Sequence, residues 1–212
     1  MPEPIEEYAA RVAAATDAGG RLPLDPDGVV GWDVFPFEVE GLRLKPAPTL
    51  VDGPEPPREG ENPADCRCAR PAGPEDPAGF VTVWQDEDWV LRAAPPSGAP
   101  VVLSLGTQAH LDVPDLSDAM AARFGLLHVA LVAAVEALPS VGRCHHFRLG
   151  DGGAHAHWWF IARPARMPRL RGSFMVDWDD FLPPVPLAVR DENAAFVVEH
   201  LTARAGGTAV RS

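Results

Sequence analysis

Gly150-Asp151-Gly152-Gly153-Ala154-His155-Ala156-His157-Trp158-Trp159-Phe160-Ile161 is the stretch on which the reading of this chain turns. Asp-Gly is a strong signal for a two-residue hairpin turn, so the surrounding sequence predicts paired strands over 143–149 and 154–163. With the turn at Asp151-Gly152, Arg148 faces His155, His146 faces His157, and Cys144 faces Trp159. Strand side chains alternate between faces, which puts those six on one face. His145, Phe147, Leu149, Ala156, Trp158 and Phe160 then form a more apolar face opposite. Arginine beside imidazoles suits phosphate chemistry, with the cation meeting charge and the imidazole acting as nucleophile or proton carrier. A half-exposed sheet face or an incidental metal-like pair fits the same His-x-His pattern, and the local pattern leaves these readings open.

Upstream, three strands are expected at 80–84, 89–93 and 101–105, separated by pieces short enough for hairpins. Leu116, Met120, Phe124, Leu127, Leu131, Val135 and Leu138 recur at three- and four-residue steps, predicting a long helix from about 115 or 117 to 138. Residues 173–178 read as a further strand, and 191–204 as a last helix. The N-terminal part reads as a short amphipathic helix over 3–18, a strand over 29–40, and a proline-rich arm over 45–78 that holds Cys66 and Cys68. The order β-β-β-α-β-β indicates an α+β fold: an antiparallel sheet with one long helix, flanked by an N-terminal arm and a C-terminal helix. The expected organisation is an arm over 1–78, a core over 79–165 and a C-terminal extension over 166–212 that packs on the core.

Composition narrows the function classes. At 212 residues, 46% hydrophobic and 23% charged, the chain can build its own core without disulfides. Three cysteines, two of them one residue apart, do not make a secreted disulfide framework. The formal net charge of −12 argues against a nucleic-acid polymer as partner. All of that excess lies in residues 1–90; the remainder balances, and 143–171 carries six arginines against Asp151 alone. A small anion such as a phosphate therefore remains an eligible ligand. No uninterrupted apolar run reaches the roughly 18 residues of a membrane span, and the acidic N-terminus is unlike a signal peptide. A cytoplasmic protein with no membrane partner is the expectation. The preponderance of Arg, Ala, Gly and Pro reads as genomic base composition of a bacterial type.

The Gly-rich turn followed by His–apolar–His–apolar resembles the signature strand of the histidine triad superfamily. The upstream order agrees: the Trp89-Val90-Leu91 strand, a Pro-Pro-x-Gly hairpin, Ala109-His110-Leu111, and Pro114-Asp115-Leu116 before the long helix. The resemblance spans about 84–164 and leaves the flanking arms outside it. It implies that His157, the middle histidine, attacks the α-phosphorus of a nucleotide, forms a nucleotidyl-histidine and passes it to water or another acceptor. Arg148 and the Gly152 and Gly153 backbone would meet the phosphoryl oxygens. The third triad histidine is Trp159 here, at a position that would contact the substrate. The branch that resembles galactose-1-phosphate uridylyltransferase tolerates glutamine there, but Trp neither accepts a hydrogen bond nor carries a proton. On the assumed register, His146 is placed to substitute.

Several members of the superfamily bind a structural zinc through two arm cysteines, the isolated histidine and the first triad histidine. The corresponding set is Cys66, Cys68, His110 and His155, a Cys2His2 group suited to zinc, with Cys144 as a reserve ligand; the Cys-x-Cys spacing is one residue shorter than usual. The resemblance thus implies a nucleotide hydrolase or nucleotidyltransferase with His157, His155 and His146 as catalytic candidates. A catalytically silent relative that binds a nucleotide or a protein partner is the alternative. Dimerisation is common in small members, but the extensions could cover that surface, so monomer and homodimer both stay open.

Overall fold

The computed structural model describes residues 14, 16–21, 49–50, 52–69, 78–182 and 184–210. The expected strand over 29–40 and nearly all of the helix over 3–18 lie outside them. The chain divides into two compact units, 1–56 and 57–212. In the first, the Asp17 carboxylate accepts the N–H groups of Gly19 and Arg21 and closes a tight turn.

The second unit is an α+β fold. Strands β1 (Val81–Gln85), β2 (Trp89–Ala93), β3 (Val102–Thr107), β4 (Val141–Phe147), β5 (His157–Pro164) and β6 (Thr208–Ala209) form one antiparallel sheet in the order β4-β5-β3-β2-β1-β6. Helix α1 (Asp118–Glu136) follows β3, with the Ser117 hydroxyl accepting the Met120 N–H as its N-cap. Helices α2 (Phe174–Phe181) and α3 (Leu187–Ala205) follow β5. The sequence-based strands and long helix fall within a few residues of these bounds.

Two expectations fail. Residues 173–178 form α2 rather than a strand: Met175, Trp178 and Leu182 fall at helical steps and turn one stripe onto the sheet, with Met175 fully buried. The two-residue turn at Asp151-Gly152 is absent, and β4 and β5 are joined by residues 148–156 instead. That backbone is pulled away to other partners. The Glu59 N–H donates to the Gly152 carbonyl, the Ala154 N–H to the Glu59 carbonyl and the Ala156 N–H to the Leu111 carbonyl, while Arg58 reaches the Gly150 carbonyl.

The longer loop changes the register. His145 pairs with Ile161, His146 with Phe160, and Phe147 with Trp159. One slip of an odd number exchanges the faces of a strand, so Cys144 and His146 lie on the helix side with Phe160, while His145 and Phe147 join His157 and Trp159.

The helix side carries the larger core. Trp84, Trp89, Leu91, Leu103, Leu105 and Phe160 meet Leu127, Leu131 and Val135 of α1 and Val197, Val198 and Leu201 of α3. By length and composition α1 is long and apolar enough to cross a membrane; here its inner face packs on the sheet. Phe160 is fully buried on β5, between β4 and β3, so Phe160→Ala is expected to cost about 3–5 kcal/mol in urea unfolding. A loss under about 1 kcal/mol would contradict this packing. On the opposite side Ala94, Val102, Ile161 and Met175 form a smaller core beneath α2.

Candidate functional site

The face opposite α1 bears His145 and His157. Across the sheet, Thr82, Arg92, Ser104, Trp159 and Phe147 form one row, and Val90, Gly106 and His157 the next. Cross-strand neighbours share a face, so Arg92, Ser104, His157 and Trp159 look the same way. His157 is half-buried. Its Nδ1 lies 2.8 Å from the His155 carbonyl oxygen, an obligatory acceptor, so Nδ1 carries the proton and donates it. The Nε2 lone pair is left as the nucleophilic position. The Trp159 ring stands perpendicular to the His157 ring at 6.0 Å and packs on Phe80 at 5.9 Å; the Arg67 guanidinium lies 5.2 Å from the Phe80 centroid. Gly153 lies beside the imidazole: a Cβ there would sit 3.6 Å from His157 Cε1.

His155 points at the arm. Residues 63–65 and 67–69 form two successive 3-10 turns, and this tight winding brings Cys66 and Cys68 to the same side despite their short spacing. Cys66 Sγ is 3.4 Å from His155 Nδ1, and Cys68 Sγ is 3.3 Å from His110 Nδ1. All four donor atoms lie within 4.8 Å of one another. Sulfur and nitrogen bound to one tetrahedral zinc are separated by roughly 3.6 Å, given zinc–ligand bonds of about 2.3 and 2.0–2.1 Å. The donor set therefore fits zinc in chemistry and spacing. His155 Nε2 lies 2.8 Å from the Thr107 carbonyl and 3.0 Å from its hydroxyl. Because the carbonyl accepts the Nε2 proton, the Nδ1 lone pair is turned toward the thiols, as a metal ligand requires. Burial lowers the His155 pKa, the Thr107 contact opposes this, and the charges of His110, Arg92 and His157 add to the lowering.

The arm is locked at its base by Gly60, whose φ of +80° favours glycine and whose Cβ would crowd Cys66 Cβ at 3.1 Å. It is fastened also by Asp112, which receives Arg58 at 2.8 Å and Arg148 at 2.7 Å. Burial opposes ionisation of Asp112. The Val113 N–H and the two guanidinium groups outweigh it and hold the carboxyl below its ordinary range.

These contacts sort the sequence-based candidates. His155, His157, Gly153 and Trp159 adjoin one another, and Cys66, Cys68 and His110 gather on His155. Arg148 is drawn into the Asp112 pair. Gly152 gives its carbonyl to the arm; among the described residues, the N–H groups of Gly152 and Gly153 meet no acceptor. His146 lies across the sheet from His157, its ring 4.3 Å from that of His128 on α1, and cannot replace a third triad histidine. Cys144 also faces the helices and lies outside the ligand cluster, so it is no reserve ligand. Arg92, Thr107 and the Arg58–Asp112 pair were not identified from sequence. Arg92 did leave a signal as the single charge in an otherwise apolar β2; Thr107 left none.

Burial, and then the charge of Glu136, push the Cys144 thiol up to about 12. A folded-state value above the unfolded one, roughly 8.5, stabilises the fold below that pH. The contribution is lost as pH rises toward 12. Iodoacetamide at pH 8 is therefore expected to spare Cys144 in the native protein and alkylate it in urea, with the urea midpoint falling above pH 8.5 less steeply in Cys144→Ala. Rapid native alkylation of Cys144 would contradict its burial.

Solved structures similar to the chain include a histidine triad protein from Sinorhizobium meliloti 1021, with 18% identity, a TM-score of 0.47, and coverage of 57% of this chain and 89% of that one. A histidine triad protein from Bradyrhizobium japonicum shows 16% identity and a TM-score of 0.44, over 59% of this chain and 90% of the other. A zinc-bound histidine triad family protein from Mycobacterium smegmatis shows 15% identity and a TM-score of 0.40, over 57% and 84% respectively. No family model and no curated protein matches the chain. The described core has the β-β-β-α-β-β order of elements that the sequence resemblance implies, on an antiparallel α+β fold.

Proposed function

We propose that the protein is a nucleotide hydrolase or nucleotidyltransferase acting at an α-phosphate through His157, with a structural zinc held by Cys66, Cys68, His110 and His155. The observation that carries the reading is the bond from His157 Nδ1–H to the His155 carbonyl, which fixes the tautomer whose Nε2 lone pair is free to attack. In the first step Nε2 bonds to the α-phosphorus as the bond to the leaving group breaks, the electron pair departing with that group. The imidazolium charge formed on His157 is stabilised by the same carbonyl, which still accepts the Nδ1 proton. In the second step water or another acceptor attacks phosphorus, releases its proton to solvent, and the N–P bond breaks to return the pair to Nε2.

His155 has both ring nitrogens engaged, so its part is to hold the metal and present its carbonyl, not to transfer protons. The zinc would supply a closed four-ligand anchor for the arm. The unengaged N–H groups of Gly152 and Gly153 are candidates for the phosphoryl oxygens, and Trp159 for the wall of the substrate site. Arg148, paired with Asp112, is withdrawn from substrate binding in this reading.

Trp159 favours a second reading, a catalytically silent nucleotide binder, since indole cannot accept a proton from or donate one usefully to a leaving group. The test is product chromatography of the zinc-replete protein with nucleoside phosphoramidates, dinucleoside polyphosphates and nucleotide sugars. Release or transfer of the nucleoside monophosphate supports catalysis. Binding of these compounds without turnover supports the silent reading, and neither binding nor turnover would remove the nucleotide assignment.

A further inference from the structure

We propose that Asp112 is a positioning residue for the glycine loop: by clamping Arg58 and Arg148 around Gly150, it holds the Gly153 N–H where a phosphoryl oxygen beside His157 would meet it. This inference rests on the reading of His157 given above. Gly150, Gly152 and Gly153 give the loop no conformational preference of its own, so its shape comes from the contacts that hold it. The Gly150 carbonyl accepts from Arg58 at 3.2 Å. The Gly152 carbonyl accepts the Glu59 N–H, and the Ala154 N–H donates to the Glu59 carbonyl. These two bonds form a parallel bridge between Glu59 and Gly153. In such a bridge the residue flanked by the two bonds turns its own N–H and C=O to the opposite edge. The Gly153 N–H therefore faces away from the arm, and among the described residues it meets no acceptor. A Cβ on Gly153 would sit 3.6 Å from His157 Cε1, the ring carbon bonded to Nε2.

Asp112 gathers the cations that fix this geometry. Its Oδ2 is 2.8 Å from Arg58 and its Oδ1 2.7 Å from Arg148. The Arg148 guanidinium folds back over Gly150 so closely that a Cβ there would collide with its Nη1. Gly150 is thus enclosed by two guanidinium groups whose charges end on one carboxylate. That carboxylate is itself held in place, since Oδ1 accepts the Val113 N–H at 2.7 Å and the Asp112 N–H donates to the Asp115 carboxylate at 3.0 Å. Arg148 Nε is buried without a partner among the described residues, so the guanidinium depends on Asp112 to stay over the loop. Charge-assisted bonds of this kind are short and geometrically specific, which suits them to fixing a glycine-rich backbone.

The experiment compares full-length zinc-replete wild type with Asp112→Asn and Arg148→Gln. Asparagine keeps a side-chain oxygen for the Val113 N–H and removes the charge that holds both arginines. Inorganic phosphate is titrated while backbone amide and histidine ring signals are followed by 15N NMR. In wild type, phosphate is expected to shift both the Gly153 amide and the His157 ring. An unclasped loop must be ordered on binding, so phosphate affinity should fall about tenfold in both variants, with the Gly153 shift lost. Zinc content, thermal midpoint and the His110 signal should stay close to wild type, which a merely structural role for Asp112 would not allow. For any substrate that wild type turns over, kcat/KM should fall by the same factor. Equal phosphate affinity in wild type and the variants overturns the proposal, and so does a wild-type titration that leaves the Gly153 amide unmoved. If Asp112→Asn loses zinc or unfolds, Arg148→Gln decides by the same criteria. Turnover that needs His157 but survives both variants unchanged removes the clasp and leaves the nucleophile standing. Clasp-dependent phosphate binding at Gly153 in a protein that turns over nothing keeps Asp112 as the positioning residue and removes the catalytic reading.

Discussion

Replacing His157 with Asn is expected to abolish nucleotidyl turnover, by on the order of 10⁴-fold or more, while zinc content and thermal midpoint stay close to wild type. Loss of a catalytic nucleophile has an effect of this size because binding and electrostatics cannot supply the missing bond. The fold should tolerate the change, since His157 is half-buried and its one hydrogen bond among the described residues, to the His155 carbonyl, is open to the Asn amide. Steady-state rates measured with metal analysis and thermal melts check both halves. Quenched wild-type reactions should also hold an acid-labile nucleotidyl group on His157 that the variant lacks. A variant turning over within about tenfold of wild type would place the nucleophile elsewhere.

Removing the proposed zinc is expected to have the largest effect on stability. Cys66→Ser, or treatment with a strong chelator, should release about one zinc per chain and lower the thermal midpoint by about 10 °C or more, several kcal/mol at this chain length. The physical reason is that the ligands join distant parts of the sequence: Cys66 and Cys68 on the arm, His110 after β3, and His155 before β5. Without metal, two thiols and two imidazoles are left facing one another, linked by sulfur–nitrogen contacts of 3.3 and 3.4 Å that are weak as hydrogen bonds.

The pH dependence has a defined sign. Burial, followed by the neighbouring Cys66, pushes the Cys68 thiol up to about 11. At neutral pH Cys68 therefore holds its proton until metal displaces it, so zinc affinity should rise with pH, by up to about tenfold per unit for each proton released. Competition with a chromophoric chelator at pH 6.5, 7.5 and 8.5 reads this directly. Affinity that is flat across the series, or a protein that purifies without zinc and gains no stability from it, would remove the metal assignment.

Much of the fold was legible in the sequence. The period-two alternation of β5 put Trp158 and Phe160 inward and His157 and Trp159 on the other face, and the three- and four-residue steps of Leu127, Leu131 and Val135 gave α1 its buried stripe. Both patterns are local consequences of backbone geometry, so a single sequence carries them. The assembly of Cys66, Cys68, His110 and His155 followed from resemblance rather than from periodicity, and the structure brings these four together.

The failures share one cause. Asp151-Gly152 has the chemistry of a tight turn, but the backbone around it is claimed by Glu59, Arg58 and Leu111, and the resulting nine-residue connection moves β4 to the other parity. The fates of His146, Cys144 and Arg148 all follow from that change, and none could be read from the hairpin alone. Residues 173–178 went wrong similarly, since a short apolar run fits either period until a neighbouring surface selects one. Local sequence thus determined which residues alternate along the strands and where α1 begins. Tertiary contacts determined which strands share a face, because backbone hydrogen bonds from distant segments outweighed the preference of a two-residue turn.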